Sequence, residues 1–175
     1  MNEEKYYLEI KNLIETYEVN RKVRNLQDNS EKLRVNWKIG KLLVEAQGGS
    51  KRARYKDALI KKWAEYLSQL YGTNYSYTNL KYMRQFYKMY PIGHTVCDQL
   101  SWSHYRYLLS IKNESERNYY INQVILNRLS VRDLRTIIKS KAYDRLSYID
   151  KENIKLIEDD RKNHLSIEEM IKDPI

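Results

Sequence analysis

The side chains best suited to catalysis or metal binding are few and scattered along this sequence. His94 and Cys97 have the spacing of paired metal ligands and His104 follows, but no fourth ligand is close by. Asp160 and Lys162 match the D-x-K end of a nuclease motif, which also needs a strand, a preceding acid and a bound metal. The charged stretch around them has no strand pattern, and no glycine-rich phosphate loop is present. We therefore predict a chain that is not an enzyme and holds no metal or cofactor.

Positive charge is the more informative chemical feature. The sequence has 32 basic and 23 acidic residues, a net charge of +9. Residues 51–90 alone sum to +7, whereas residues 145–175 sum to −2. A clustered basic surface is typical of nucleic-acid-binding proteins. A soluble protein with a general excess of lysine is the alternative that charge leaves open.

The basic middle of the chain contains a predicted helix-turn-helix, in which the turn Gly72–Ser76 joins helices at 55–71 and 77–90. In DNA-binding proteins of this kind the N-terminal end of the second helix enters the major groove. Asn and Gln can bind adenine, Arg can bind guanine, and Lys or Tyr can hold phosphate. An ordinary helical hairpin is the alternative. Lys81 and Arg84 are expected on the solvent side of this helix. Its candidate binding residues are Tyr77, Asn79, Lys81, Arg84, Gln85 and Lys88.

Two further basic groups are candidates for phosphate contact. A second helix pair is predicted over residues 114–141, with a turn at Arg128–Ser130, and its second helix carries basic residues on one face. A solvated surface is the alternative there. Another basic cluster precedes the third helix, where free N–H groups and the helix dipole favour anions. The candidates are Arg132, Arg135 and Lys139 in the helix pair, and Arg52, Arg54 and Lys56 in the cluster.

The elements that position these residues are predicted to be helical. Five Gly and two Pro in 175 residues favour long helices over a turn-rich β fold. We predict an all-α fold: a compact multi-helix domain over residues 1–146 with helix-turn-helix-like units, then a charged tail over 147–175 with a short terminal helix. The apolar pattern predicts helices near residues 3–27, 31–47, 55–71, 77–90, 102–110, 115–127 and 131–141.

Several core positions can be predicted from the same pattern. Gly40 lies inside the second helix, where it costs about 1 kcal/mol relative to Ala, and a close approach of two helices would justify that cost. Trp37 and Trp102 are expected to be buried, and His104 is expected to pack or form hydrogen bonds. The predicted inward residues of the third helix are Ala58, Leu59, Trp63, Leu67 and Leu70.

The single Cys97 excludes an intramolecular disulfide and fits a reducing compartment. The N-terminus has no apolar core of the signal-peptide type, and no apolar run approaches the length of a membrane span. A cytoplasmic protein without a membrane partner is predicted.

Ordered sequence landmarks resemble the N-terminal domain of the YhcG family, domain of unknown function 1016. Two departures are Lys56, where the family usually has Gly, and Leu129, where it usually has Trp. The landmarks are Asn36-Trp37-Lys-Ile-Gly40, Arg54-Tyr55, the block Gly72 to Pro91, Leu100-Ser-Trp-Ser-His-Tyr105, Arg117-Asn-Tyr119-Tyr120, Leu129-Ser-Val-Arg-Asp-Leu134 and Tyr143-Asp-Arg-Leu146.

The resemblance implies a helix-turn-helix-like DNA-binding module that delivers a nuclease. Other family members carry a PD-(D/E)XK-type nuclease domain further along, and this sequence stops near that junction. We expect either a natural truncation or an isolated domain, and the resemblance transfers no catalytic residue.

Three hypotheses follow. The first is a non-catalytic module that binds double-stranded DNA or a nucleic-acid–protein complex. The alternative is a phage- or mobile-element-encoded interaction protein that inhibits a host nuclease or defence complex, as anti-CRISPR and anti-restriction proteins do. A metal-dependent nuclease is the third. The sequence does not specify the oligomeric state.

Overall fold

The computed structural model describes residues 3–24, 29–48, 53–91 and 99–159. These residues contain helices and no strand, so the prediction of an all-α fold is confirmed. The helix bounds lie within a few residues of those predicted, and residues 148–159, predicted as tail, are also helical. The helices are α1 Glu3–Arg24, α2 Asn29–Ala46, α3 Ala53–Tyr71, a 310 helix Thr73–Tyr75, α4 Tyr77–Met89, α5 Trp102–Leu108, α6 Glu114–Asn127 and α7 Val131–Lys139.

The chain forms two compact units, Met1–Leu109 and Ser110–Ile175. The first contains α1 to α5, and the second contains α6, α7 and the helical segment 148–159. The division falls inside the predicted domain 1–146. The predicted tail stays a prediction, and its residues 160–175 lie outside the described part.

The close contact of α2 with α4 organises the first unit. A Cβ atom placed on Gly40 would lie 2.0 Å from the Met83 carbonyl oxygen and 3.0 Å from the Tyr87 Cβ. The backbones of the two helices therefore meet at a distance that only glycine permits. The prediction that Gly40 marks a close approach of two helices is confirmed.

Trp37 also connects α2 with α4, but it is not fully buried as predicted. Its ring is half-buried and meets the Tyr87 ring edge-on, with the centroids 5.2 Å apart. Its Nε1–H donates a 2.6 Å hydrogen bond to the Tyr90 carbonyl at the end of α4. Carbonyls at helix ends lack intrahelical partners, so Trp37 caps α4 as well as packing against it.

Phe86 is the centre of an aromatic cluster in this core. Its fully buried ring lies 5.3 Å from the Trp102 ring and 4.9 Å from the Tyr105 ring, measured between centroids. Trp102 is 7% exposed, which confirms its predicted burial. The cluster connects α4 to α5.

The buried face of α3 differs from the predicted one. Leu59, Trp63 and Leu67 are buried as predicted, but Ala58 is exposed and Leu70 is 59% exposed. The buried stripe uses Ile60 and Ala64 instead. The predicted face was therefore correct at its centre and wrong at Ala58 and Leu70, because an apolar pattern does not specify which positions neighbouring elements cover.

The second unit packs α6 against α7 around Tyr120, Val124 and Leu134. Arg117 is also buried, at 7% exposure, and its Nη1 donates to the Ile111 carbonyl at 2.8 Å. The turns on either side of α7 contain residues in the left-handed region, Arg128 at φ 50° and Lys141 at φ 53°. Such conformations are uncommon for residues other than glycine.

Within the described ranges, no helix is both long and apolar enough to cross a membrane.

Candidate nucleic-acid interface

The N-terminal end of α4, predicted to read bases, is involved in intramolecular contacts. The Tyr77 hydroxyl donates to Asp57 Oδ2 on α3 at 2.5 Å, and the Lys81 ammonium lies 5.1 Å from the centre of the Tyr77 ring. Asn79 Nδ2 donates to the Thr73 carbonyl at 3.1 Å. These bonds hold the turn between the two helices, so Tyr77 and Asn79 support the fold.

The middle of α4 is similar. Arg84 is half-buried, although it was expected on the solvent side, and its Nη1 donates to Gln47 Oε1 at 3.2 Å. Gln85 Nε2 donates to the Leu109 carbonyl at 2.6 Å. Lys81 and Lys88 are exposed, as an interface requires. Of the residues predicted on α4, Lys81, Gln85 and Lys88 are exposed.

The basic cluster before α3 cannot be placed in full. Helix α3 begins at Ala53, close to the predicted start. Arg52 and the side chains of Arg54 and Lys56 lie outside the described part of the chain. Their role stays a prediction.

Helix α7 presents its basic residues to solvent. Leu134 is buried, Ile137 and Ile138 are half-buried, and the three predicted cations are exposed. Residues three, four and seven positions apart lie on one face of a helix. We call this set the α7 stripe, and it consists of Arg132, Arg135 and Lys139.

The acid on the same helix, Asp133, forms a capping box with Ser130 and no ion pair with the α7 stripe among the described residues. Asp133 Oδ2 accepts a 2.6 Å hydrogen bond from the Ser130 hydroxyl and one from the Ser130 N–H at 3.3 Å. The Ser130 hydroxyl in turn accepts from the Asp133 N–H. This capping box fixes the start of α7.

We expect Asp133 to report on this capping box through its titration. The hydrogen bonds from the Ser130 side chain and backbone favour the carboxylate and lower the pKa of Asp133 below its ordinary value of 3.8. Since the pKa is lowered in the folded state, the stabilisation is complete above the ordinary pKa and is lost as pH falls through the lowered one. In Ser130→Ala the pKa should rise toward 3.8 when followed by NMR of the carboxyl carbon.

Ser147→Ala is the matched control, because the Ser147 hydroxyl donates to Asp150 Oδ2 at the same distance of 2.6 Å. The titration of Asp133 should not change in this variant. An unchanged pKa of Asp133 in Ser130→Ala would show that the capping box does not form in solution.

The surroundings of the α7 stripe add further charges: Lys141 was expected to face outward from the sequence, whereas Arg128 and Arg145 were not counted as part of this surface. Arg128 precedes α7, Lys141 and Arg145 follow it, and all three are exposed. Residues 128–145 contain six cations and two acids, Asp133 and Asp144. These residues have a net charge of +4, which is a signal for a basic surface in the sequence itself. The larger net charge of +7 lies in residues 51–90 and drew attention there.

The possible metal ligands do not form a site in the described residues. His104 is buried and caps α5: its Nδ1 lies 3.1 Å from the Ser101 N and accepts that N–H. His94, Cys97, Asp160 and Lys162 lie outside the described part. Elsewhere, over the residues that are described, no three His, Cys, Asp or Glu side chains are grouped as metal ligands would be.

Comparison with known proteins shows the family. The model of the DUF1016 N-terminal domain matches residues 9–145, so the chain belongs to this family, and the resemblance stated above is confirmed. A protein of Escherichia coli K12 described as "Putative nuclease YhcG" is 29% identical over an alignment of 171 residues. The alignment covers 78% of this chain and 45% of that protein. The chain thus spans less than half the length of this relative. No solved structure matches.

Proposed function

We propose that this chain is a DNA-binding module that contacts the phosphates of double-stranded DNA through α7. The observation that carries the proposal is the α7 stripe: three exposed cations on one face of a helix whose opposite face is buried. Within the described residues, none of Arg132, Arg135 and Lys139 forms an ion pair. Like charges three and four positions apart destabilise a helix, and a polyanion would relieve that repulsion.

The shape of the second unit supports this mode of binding. Helices α6 and α7 are joined by a three-residue turn, Arg128–Ser130, which is the arrangement of a helix-turn-helix. With its side chains an α-helix such as α7 is about 10–12 Å in diameter, which fits a major groove about 12 Å wide. The cations at its two ends extend the basic surface beyond the helix.

The relative's name suggests a context for such a module. The E. coli protein is described as a "Putative nuclease", and the match covers 45% of it. The family model that matches this chain is that of an N-terminal domain. A module that binds DNA without cutting it could hold DNA for a separate nuclease domain or partner. Binding, rather than cleavage, is the activity we propose for the residues of this chain.

The test is the triple variant Arg132→Gln, Arg135→Gln, Lys139→Gln, measured by fluorescence anisotropy with duplex DNA across a range of salt. Binding releases fewer counterions when fewer cations meet phosphates, so the slope of log K against log salt should become shallower by about 0.9 for each phosphate no longer neutralised. We expect the affinity at low salt to fall by roughly tenfold or more. Circular dichroism should show an unchanged fold, since exposed charges contribute little to stability.

The control variant removes the same charge elsewhere. Lys5, Lys11 and Lys41 each lie 3.8–3.9 Å from the glutamate four positions on, so their charges are already paired. Replacing all three with Gln should leave the salt slope nearly unchanged. An equal fall in affinity in the two triple variants would mean that only net charge matters. Absence of DNA binding in the parent would contradict the proposal, and co-purification with a host nuclease would then support the inhibitor hypothesis.

A further inference from the structure

A small polar pocket lies in the first unit, between α1, α2, the 310 helix, α4 and α5. Its volume is about 120 Å³, and most of the residues that line it are polar or charged. It is separate from the α7 stripe, which belongs to the other unit. No residue of the pocket was predicted as a site apart from Asn79.

Two buried amide atoms of residues that line the pocket have no hydrogen-bond partner among the described residues. Asn36 is 4% exposed, and its Nδ2 has no hydrogen-bond partner among the described residues. The buried Oδ1 of Asn79 likewise has none there, although the Nδ2 of the same side chain is bonded to the Thr73 carbonyl. Buried polar groups are nearly always hydrogen-bonded in folded proteins. Two residues that line this pocket therefore carry one buried donor and one buried acceptor with no partner in the described part of the chain.

The charged residues around the pocket are mostly cations. Arg21, Lys32 and Arg106 line it from three different helices, and Glu18 is the one carboxylate among the described residues that does. Glu18 already accepts from Arg21 at 2.7 Å and from the Tyr75 hydroxyl at 2.9 Å. The lining thus has a formal charge of 3 − 1 = +2, which complements a doubly charged anion.

We propose that this pocket binds a phosphate group. Lys32 and Arg106 would pair with its charge, Asn36 Nδ2 would donate to one of its oxygens, and Asn79 Oδ1 would accept from a P–OH or from an adjacent hydroxyl. A water molecule occupies about 30 Å³ in the liquid, so 120 Å³ suits a five-atom phosphate but not a whole nucleotide. The remainder of a larger ligand would lie outside the pocket.

Two sources could supply such a group: the terminal phosphate of a nucleic acid strand, and free phosphate. Isothermal titration of the full chain should use three probes, namely a 5′-phosphorylated trinucleotide, the same trinucleotide with a 5′-hydroxyl, and inorganic phosphate. If the source is a strand end, the phosphorylated trinucleotide should bind at least about tenfold more tightly than the other two. Tight binding of inorganic phosphate would assign the pocket to free phosphate. If no probe binds, the pocket holds water and the proposal is overturned.

Substitutions of the residues that line the pocket test whether the probe binds there. Lys32→Gln with Arg106→Gln should weaken the bound probe by about tenfold or more, since hydrogen bonds to charged groups are the strong ones. Lys38→Gln, on the same helix as Lys32 and exposed, should have no effect. Asn36→Asp keeps the shape of the side chain but adds a negative charge, and it should abolish binding.

If Asn36→Asp does not fold, the double variant Lys32→Gln, Arg106→Gln still tests whether the pocket binds the probe, because Arg106 is exposed and Lys32 is half-buried. Binding that persists unchanged in the Lys32 and Arg106 double variant would place the anion elsewhere and overturn the proposal. Because the pocket and the α7 stripe belong to different units, duplex binding through α7 can succeed or fail independently of this result.

Discussion

Gly40→Ala should strongly destabilise the first unit, although alanine is the better helix former. Helix propensity alone favours Ala over Gly by about 1 kcal/mol. Against this, the new Cβ would lie 2.0 Å from the carbonyl oxygen of Met83, which is a backbone atom and can move only if α4 moves. Overpacking typically costs about 1–3 kcal/mol, and we expect a net loss at the upper end of that range or beyond. Denaturant unfolding would measure it.

Gly48→Ala is the matched control for this prediction. A Cβ at Gly48 would meet no atom within 4 Å, but its φ of 58° disfavours alanine. The cost there should therefore be conformational only, about 1 kcal/mol. If Gly40→Ala instead raises the unfolding free energy, α2 and α4 are further apart in solution than in this structure.

Trp102→Ala should cost about 3–5 kcal/mol of unfolding free energy, as large aromatic-to-alanine changes in cores do. Its ring is 7% exposed and packs edge-on against Phe86, 5.3 Å between centroids. The substitution would leave a cavity between α4 and α5 that neighbouring rings fill only in part. Thermal and urea unfolding should both show the loss.

Leu70→Ala tests whether burial causes that effect. Leu70 was predicted to face inward on α3, but it is 59% exposed. Its truncation should change the unfolding free energy by no more than about 0.5 kcal/mol. A destabilisation comparable with that of Trp102→Ala would mean that Leu70 is covered in solution and that the predicted face of α3 was correct.

Local signals explain which features of the fold were predictable. Gly72 in the predicted turn and the Ser130–Asp133 capping box depend only on residues nearby in sequence. Gly40 indicated a close approach of helices by its place inside an apolar pattern, although its partner Met83 lies 43 positions away. The face of α3 depends on which helices cover it, and periodicity cannot specify that over its last turn. Phe86 was missed because its burial depends on Trp102 and Tyr105 of α5, which lie 16 and 19 positions further along the chain.

The candidate interface shows the same limit. The α7 stripe could be predicted because its spacing and its capping box are local. The intramolecular bonds of α4 could not, since Tyr77 bonds a residue 20 positions away and Arg84 one 37 positions away. Several side chains whose types suit base recognition already form hydrogen bonds within the protein. The polar pocket depends on contacts over a still wider range of sequence.

The left-handed residues beside α7 imply a trade-off between robustness and charge. Arg128 and Lys141 occupy backbone conformations in which glycine would be favoured by about 1 kcal/mol or more each. A protein engineer who sought a more heat-resistant domain would replace both with glycine and would remove two positive charges from the most basic surface of the second unit. Thermostability and electrostatic attraction to a polyanion therefore compete at these two positions.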